Sequence, residues 1–207
     1  MKLGLVTYMI GAQWDVPTMI EKCTALGYQG VELRTTHAHG VELSLSAQER
    51  REVRARFADS DVTLWGLGTT CCYHAADPAE VKRNIAETKE WVQLAVDVGA
   101  VGVKVRPNGF QEEQGIPKEK TLEQIGLAYR ECGAYAAEHG IELWMEVHGR
   151  GTKDPRYMRT IMQTAEQDNC LVCWNSNPGE EDENGSIKAS FDLLKPWIRS
   201  CHIHRLA

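Results

Sequence analysis

"EHGIELWMEVH", residues 138–148, runs from the end of a helical stretch through a glycine into a short apolar segment that finishes in Glu146 and His148. "ALGYQGVELR" (25–34) and "DVGAVGVKVR" (97–106) repeat the pattern, with Gly27, Gly99 and Gly140 where a helix end takes a left-handed residue. Each copy is an αβ unit. Extending the same reading predicts strands near 3–10, 28–34, 62–68, 100–106, 141–148, 170–175 and 198–204. Helical patterns lie between them near 16–26, 46–58, 78–97, 118–139, 155–167 and 186–195, with start signals such as "SLSAQE" and "DPAE". Strict alternation predicts a parallel sheet with right-handed crossovers. The turn after the first strand, "MIGAQWDVPT", has no G-x-G-x-x-G, which disfavours a doubly wound nucleotide-binding sheet and favours a (β/α)8-type barrel. At 207 residues the chain is expected to form one domain, 1–207.

Composition excludes several alternatives. The 43% hydrophobic content supports a real core, and no apolar run approaches the roughly 20 residues of a membrane span. The net charge of −6 is spread along the chain without a basic run, so nucleic acid is a poor partner. The expectation is a soluble, cytoplasmic protein without a secretory signal, its seven cysteines reduced. Cys170 and Cys173 form a C-x-x-C, but odd spacing along a strand sends them to opposite faces, which argues against a zinc ribbon.

A barrel of this kind builds its active site at the C-terminal ends of the strands. Those ends carry Glu32, Arg34 and His37, then Cys71, Cys72 and His74, then Lys104 and Arg106. Glu146 and His148, Asn175 and Asn177, and His202 and His204 follow. Any one of them reads most simply as a solvated strand end; together they favour a site. In the opening stretch, alternation puts Trp144, Glu146 and His148 on one face and Met145 and Val147 on the other.

"GYQGVELRTTHAHG", "DPAEVKRNIAETKEWVQLAVDVGAVGVKVRPNG", "MEVHGRG", "CWNSNP" and "IRSCHIHRL" span nearly the whole chain. In these motifs the sequence resembles the sugar phosphate isomerase/epimerase family of xylose isomerase-like TIM barrels, within the AP endonuclease family 2 superfamily. The resemblance implies one divalent cation (manganese, magnesium, cobalt or zinc) held by Glu146, Asn175 and His202. It implies that Glu146 is also the catalytic carboxylate, removing a proton α to a sugar carbonyl to give an enediolate. His148 is a candidate to orient a sugar or sugar phosphate and Arg106 or Lys104 to meet its phosphate or hydroxyl, with His74 and Trp14 further rim candidates. A structural ion pair for Arg106 or Lys104 and core packing for Trp14 are the bland alternatives.

The sequence departs from the family pattern at three places. Asn175 stands where an Asp is commoner, Arg205 follows the histidine motif where an acid is frequent, and the eighth strand with its second catalytic Glu is missing before Ala207. The expectation is therefore an incomplete barrel of seven strands and six helices that could form homo-oligomers through its open edge. Two-base epimerisation then needs a substitute for the second carboxylate, such as His148 or His204. Whether the chain is an enzyme stays open, and a non-catalytic barrel that binds a sugar or serves an oligomer is the alternative. A zinc nuclease of the AP endonuclease type is disfavoured by Asn175, Pro178 and the acidic charge.

Overall fold

The computed structural model describes residues 1–177 and 179–203. Seven parallel strands follow one another in sequence order: β1 (Gly4–Val6), β2 (Gly30–Arg34), β3 (Thr63–Cys72), β4 (Gly102–Arg106), β5 (Glu142–Glu146), β6 (Cys170–Asn175) and β7 (Ile198–His202). Six α-helices alternate with them: α1 (Val16–Leu26), α2 (Ala47–Ala58), α3 (Pro78–Val98), α4 (Lys118–Glu138), α5 (Pro155–Ala165) and α6 (Lys188–Leu194).

Local sequence explains the helix boundaries. Ser46 and Glu49 close a capping box at the start of α2, and Asp15, Asp77 and Asp154 cap helices that each carry a proline in the first turn. Gly27, Gly99 and Gly140 hold φ of 75°, 79° and 68°, the left-handed conformation expected at the helix ends.

The sheet curls. His202 on β7 lies 3.1 Å from Glu32 on β2, whereas strands five apart in a flat sheet would be separated by roughly 24 Å. The result is a half-barrel, an incomplete TIM barrel among the described residues. Two aromatic rings fill its lower interior: Trp65 and Trp144 stack with centroids 4.8 Å apart, and Trp144 donates its indole N–H to Glu142 at 2.9 Å. Gly66 and Gly102 make the space, since a Cβ at either would stand 2.3 or 2.5 Å from the Trp144 ring. A layer above, Gly68 clears the Glu32 carboxylate, which would lie 2.8 Å from a Cβ there.

β1 and β5 end earlier than the sequence suggests. β1 stops at Val6, and Tyr8, Met9 and Ile10 turn out exposed beyond it. β5 stops at Glu146, so the alternation that groups Trp144 with Glu146 does not extend to His148, which is exposed. No described pairing joins β1 to β7, and Leu3, Ile10 and Ile203 stand exposed near these edges.

Candidate active site

Five strands send inward-facing side chains to one point at their C-terminal ends. Glu32 from β2, Lys104 and Arg106 from β4, Glu146 from β5, Cys173 and Asn175 from β6 and His202 from β7 form a continuous polar cluster. Lys104 Nζ lies 2.6 Å from Glu32 Oε1 and 3.2 Å from Glu146 Oε2, so a single ammonium joins the two carboxylates. Arg106 Nε sits 3.3 Å from Glu146 Oε2, and Asn175 Nδ2 donates to Glu146 Oε1 at 2.9 Å. His202 spans the acids, its Nε2 3.1 Å from Glu32 Oε2 and its Nδ1 3.8 Å from Glu146 Oε1.

Glu32, Lys104, Glu146 and Asn175 are all buried, so these charges act in a medium where pairing is strong and isolation costly. Burial alone would push both carboxyls up; for Glu32 the Lys104 charge and His202 outweigh it and hold the group at about 2. Glu146 is likewise held well below the usual carboxylate range, burial being overcome by His202, Lys104 and Asn175. Burial opposes the charged forms of Lys104 and His202, yet Glu32 and Glu146 raise Lys104, and Cys173 with Glu146 and Glu32 raises His202.

Of the residues singled out in the sequence, Glu146, Asn175 and His202 come together. Arg106 joins them through an ion pair to Glu146, the structural role weighed for it. His74 is half-buried with Nδ1 unpartnered, its imidazole made less basic by burial. Trp14 packs against the core, with Lys22 Nζ 5.4 Å from its ring centroid, which is the packing role rather than a contact with the cluster. His39 accepts from the Val41 N–H on Nδ1 and so donates from Nε2 to the Arg34 carbonyl, a structural tie. His37 pairs with the Thr7 hydroxyl at 2.9 Å. His204 and Arg205 lie outside the described residues.

Sequence reasoning weighed Lys104 as a substrate contact or a structural ion pair, and the structure shows the ion pairs, but it left Glu32 on the rim without a role. A signal existed: "GVELR" and "GVKVR" carry opposite charges at the third position of the same motif. Cys173 was correctly assigned to the face opposite Cys170, but its place beside His202 was not drawn out. Cys170 Sγ packs toward α4, within 3.5 Å of the Tyr129 carbonyl.

The donor chemistry of the cluster fits a divalent cation. It combines carboxylate oxygens, an imidazole and a thiol, and Asn175 Oδ1 is a buried acceptor without a hydrogen-bond partner. The model of the xylose isomerase-like TIM barrel family matches residues 20–178.

The chain belongs to the xylose isomerase-like TIM barrel family.

Comparison with curated proteins finds no match. Among solved structures, this barrel is similar to D-psicose 3-epimerase with D-tagatose from Clostridium cellulolyticum H10 (TM-score 0.80, 17% identity), over 98% of this chain and 73% of that one. It is similar to 3-keto-D-glucoside 4-epimerase, YcjR, from E. coli (TM-score 0.78, 11% identity), over 99% and 79% of the two chains. It is also similar to the IOLI protein with a binding zinc atom (TM-score 0.71, 19% identity), over 85% and 63%. Identities this low establish a shared fold. No helix among the described residues is long and apolar enough to cross a membrane.

Proposed function

We propose that this xylose isomerase-like barrel is a divalent-metal-dependent isomerase or epimerase of a sugar or sugar phosphate, with Glu146 moving the proton. The observation that carries the reading is the convergence of Glu146, Asn175 and His202 with two cationic side chains at the barrel's catalytic end. The epimerase and zinc-binding neighbours of the same fold support it.

Glu146 is the base. Its depressed pKa keeps it ionised at any physiological pH, and the Asn175 amide fixes the direction of Oε1. Lys104 and Arg106 flank Oε2 and would stabilise the negative charge that develops when a proton leaves the carbon next to a carbonyl. His202 would hold the cation, with Glu146 and Asn175 as the oxygen donors that the family resemblance implies. When bound, that cation supplies Lewis-acid polarisation of a substrate carbonyl or hydroxyl. Arg106 and the exposed His148 can reach a sugar hydroxyl or phosphate, with His74 further along the rim. A single carboxylate suffices to shuttle a proton between neighbouring carbons on one face, so aldose–ketose isomerisation needs no second base. The reading places the reaction in the cytoplasm, in keeping with seven free cysteines.

The test is solvent deuterium exchange. Purified protein supplied with manganese, magnesium, cobalt or zinc is incubated with aldoses, ketoses and their phosphates in heavy water and followed by NMR. Exchange at the carbon beside the carbonyl, abolished in Glu146→Gln with an unchanged circular dichroism spectrum, is expected. Exchange that survives in that variant would overturn the reading.

One observation favours a second reading, a non-catalytic sugar-binding barrel. Against the burial that would raise it, His202, Lys104 and Asn175 hold Glu146 far below the usual carboxylate range, which weakens it as a base. Calorimetric sugar binding without deuterium exchange would identify this case.

A further inference from the structure

Arg34, Lys104 and Arg106 are the cationic side chains that β2 and β4 turn to the interior. Alternation puts Arg34 on the same face of β2 as Glu32, and Arg106 on the same face of β4 as Lys104. The charges from β4 are matched within the cluster, Lys104 by Glu32 and Glu146 and Arg106 by Glu146. Arg34 differs: it is half-buried and forms no ion pair among the described residues. Its Nη1 donates to the Thr35 carbonyl at 3.2 Å, and its guanidinium carbon lies 5.3 Å from the centroid of the Tyr8 ring. Nε is buried, and among the described residues neither it nor Nη2 meets an acceptor. The neighbouring acids are engaged elsewhere, Glu32 by Lys104 and His202, and Glu42 by the Thr35 hydroxyl at 2.7 Å and the Thr36 N–H at 2.6 Å.

We propose that Arg34 is a specificity-determining residue that binds an anionic group of the substrate, a phosphate or a carboxylate, so that the site takes sugar phosphates or sugar acids in preference to neutral sugars. The inference rests on the reading of the barrel as a sugar isomerase or epimerase with Glu146 as its base.

The chemistry of the guanidinium supports it. The Nε–Nη2 edge presents two parallel N–H groups, the fork that pairs with two oxygens of a carboxylate or phosphate. The Tyr8 ring and the Thr35 carbonyl already hold its plane, so little side-chain freedom is lost when an anion arrives. A half-buried charge without a counter-ion is costly, and a bound anion removes that cost.

The position of Arg34 supports it too. The register sets Arg34 opposite Gly68, and Gly68 opposite Lys104. Gly68 has no side chain, so nothing projects from β3 between the two cations at that level, and their Cα atoms stand two strand spacings, roughly 10 Å, apart. An anion on Arg34 leaves the rest of the same molecule lying toward Lys104 and Glu146, with Arg106 and His148 available for its hydroxyls.

The experiment is calorimetric titration with glucose, glucose 6-phosphate and glucuronate, which differ only at the last carbon. Wild type, Arg34→Gln and Arg34→Lys are compared, each with and without a chelator. At least one anionic probe should bind wild type ~10–100-fold more tightly than glucose, the gain expected from charge-assisted hydrogen bonds to one group. The preference should weaken with added salt, vanish in Arg34→Gln and survive in part in Arg34→Lys, which keeps the charge without the fork. Glucose 6-phosphate alone would mark a phosphate site, and glucuronate alone a carboxylate site. Equal binding of the three probes, or no binding of either anion, would overturn the inference. So would a preference that persists in Arg34→Gln or disappears with the chelator, since other cations or a metal would then hold the anion. Deuterium exchange separates the two readings. Exchange in glucose without an anion preference removes the role of Arg34 while Glu146 stands as the base; an Arg34-dependent preference without exchange does the reverse. The wild-type comparison needs no variant, so a folding defect in Arg34→Gln leaves the question answerable.

Discussion

Lys104 Nζ lies 2.6 Å from Glu32 Oε1, a buried ion pair between strands β2 and β4, which are not neighbours in the sheet. The same ammonium reaches Glu146 at 3.2 Å, so one side chain keeps two acids together inside the barrel.

Lys104→Met should therefore destabilise the fold by about 3–5 kcal/mol, since breaking a buried pair leaves uncompensated charge. Urea denaturation measures it. Zinc or cobalt added to Lys104→Met should recover part of the loss by replacing the missing positive charge; an unchanged midpoint with added metal would count against a cation site beside these acids.

Acid should act through Glu32. Its folded pKa, about 2, lies below the ordinary 4.5, so the group contributes stability above about pH 4.5 that is lost as the pH falls toward 2. Glu32→Gln removes this component, so the stability gap between wild type and variant should be widest near neutral pH and narrow on acidification. Urea midpoints taken across that range check it.

Space for Trp144 depends on the absence of side chains at Gly66 and Gly102. Gly66→Ala places a methyl 2.3 Å from the ring and should lower stability by about 1–3 kcal/mol through overpacking. Trp144→Phe in the same chain should relieve part of that cost. Thermal melts of the two single variants and the double variant close the cycle, and strict additivity would show that the two positions do not meet.

The open edge has its own consequence. β1 and β7 lack a described partner on their outer sides, and Leu3, Ile10 and Ile203 are 61%, 69% and 62% exposed around them. The 207-residue chain should self-associate with rising concentration, as light scattering would register, and Ile10→Lys with Ile203→Lys should reduce it. A monodisperse monomer at high concentration would contradict this expectation.

The alternation of strands and helices was legible because each boundary is written locally: Ser46 with Glu49 opens one helix, and Gly27 and Gly99 close two others. Periodicity placed Glu146, Asn175 and His202 at strand ends among other polar residues, and only the resemblance to the family singled them out as a set. The reach of β5 was not legible. Period-two alternation continues to His148 in the sequence, but the strand ends at Glu146 and the backbone turns away.

By itself the sequence determined an αβ repeat, a parallel sheet and a polar rim, since periodicity, capping residues and glycines act over a few neighbours. Only the tertiary structure decided which rim residues face one another. Sheet curl brings Glu32 and His202, 170 positions apart, to 3.1 Å, sets Lys104 between two acids and puts the Cys173 thiol beside an imidazole. The physical reason is that curvature comes from the summed twist of seven strands and the packing of Trp65 against Trp144, quantities that no single segment contains.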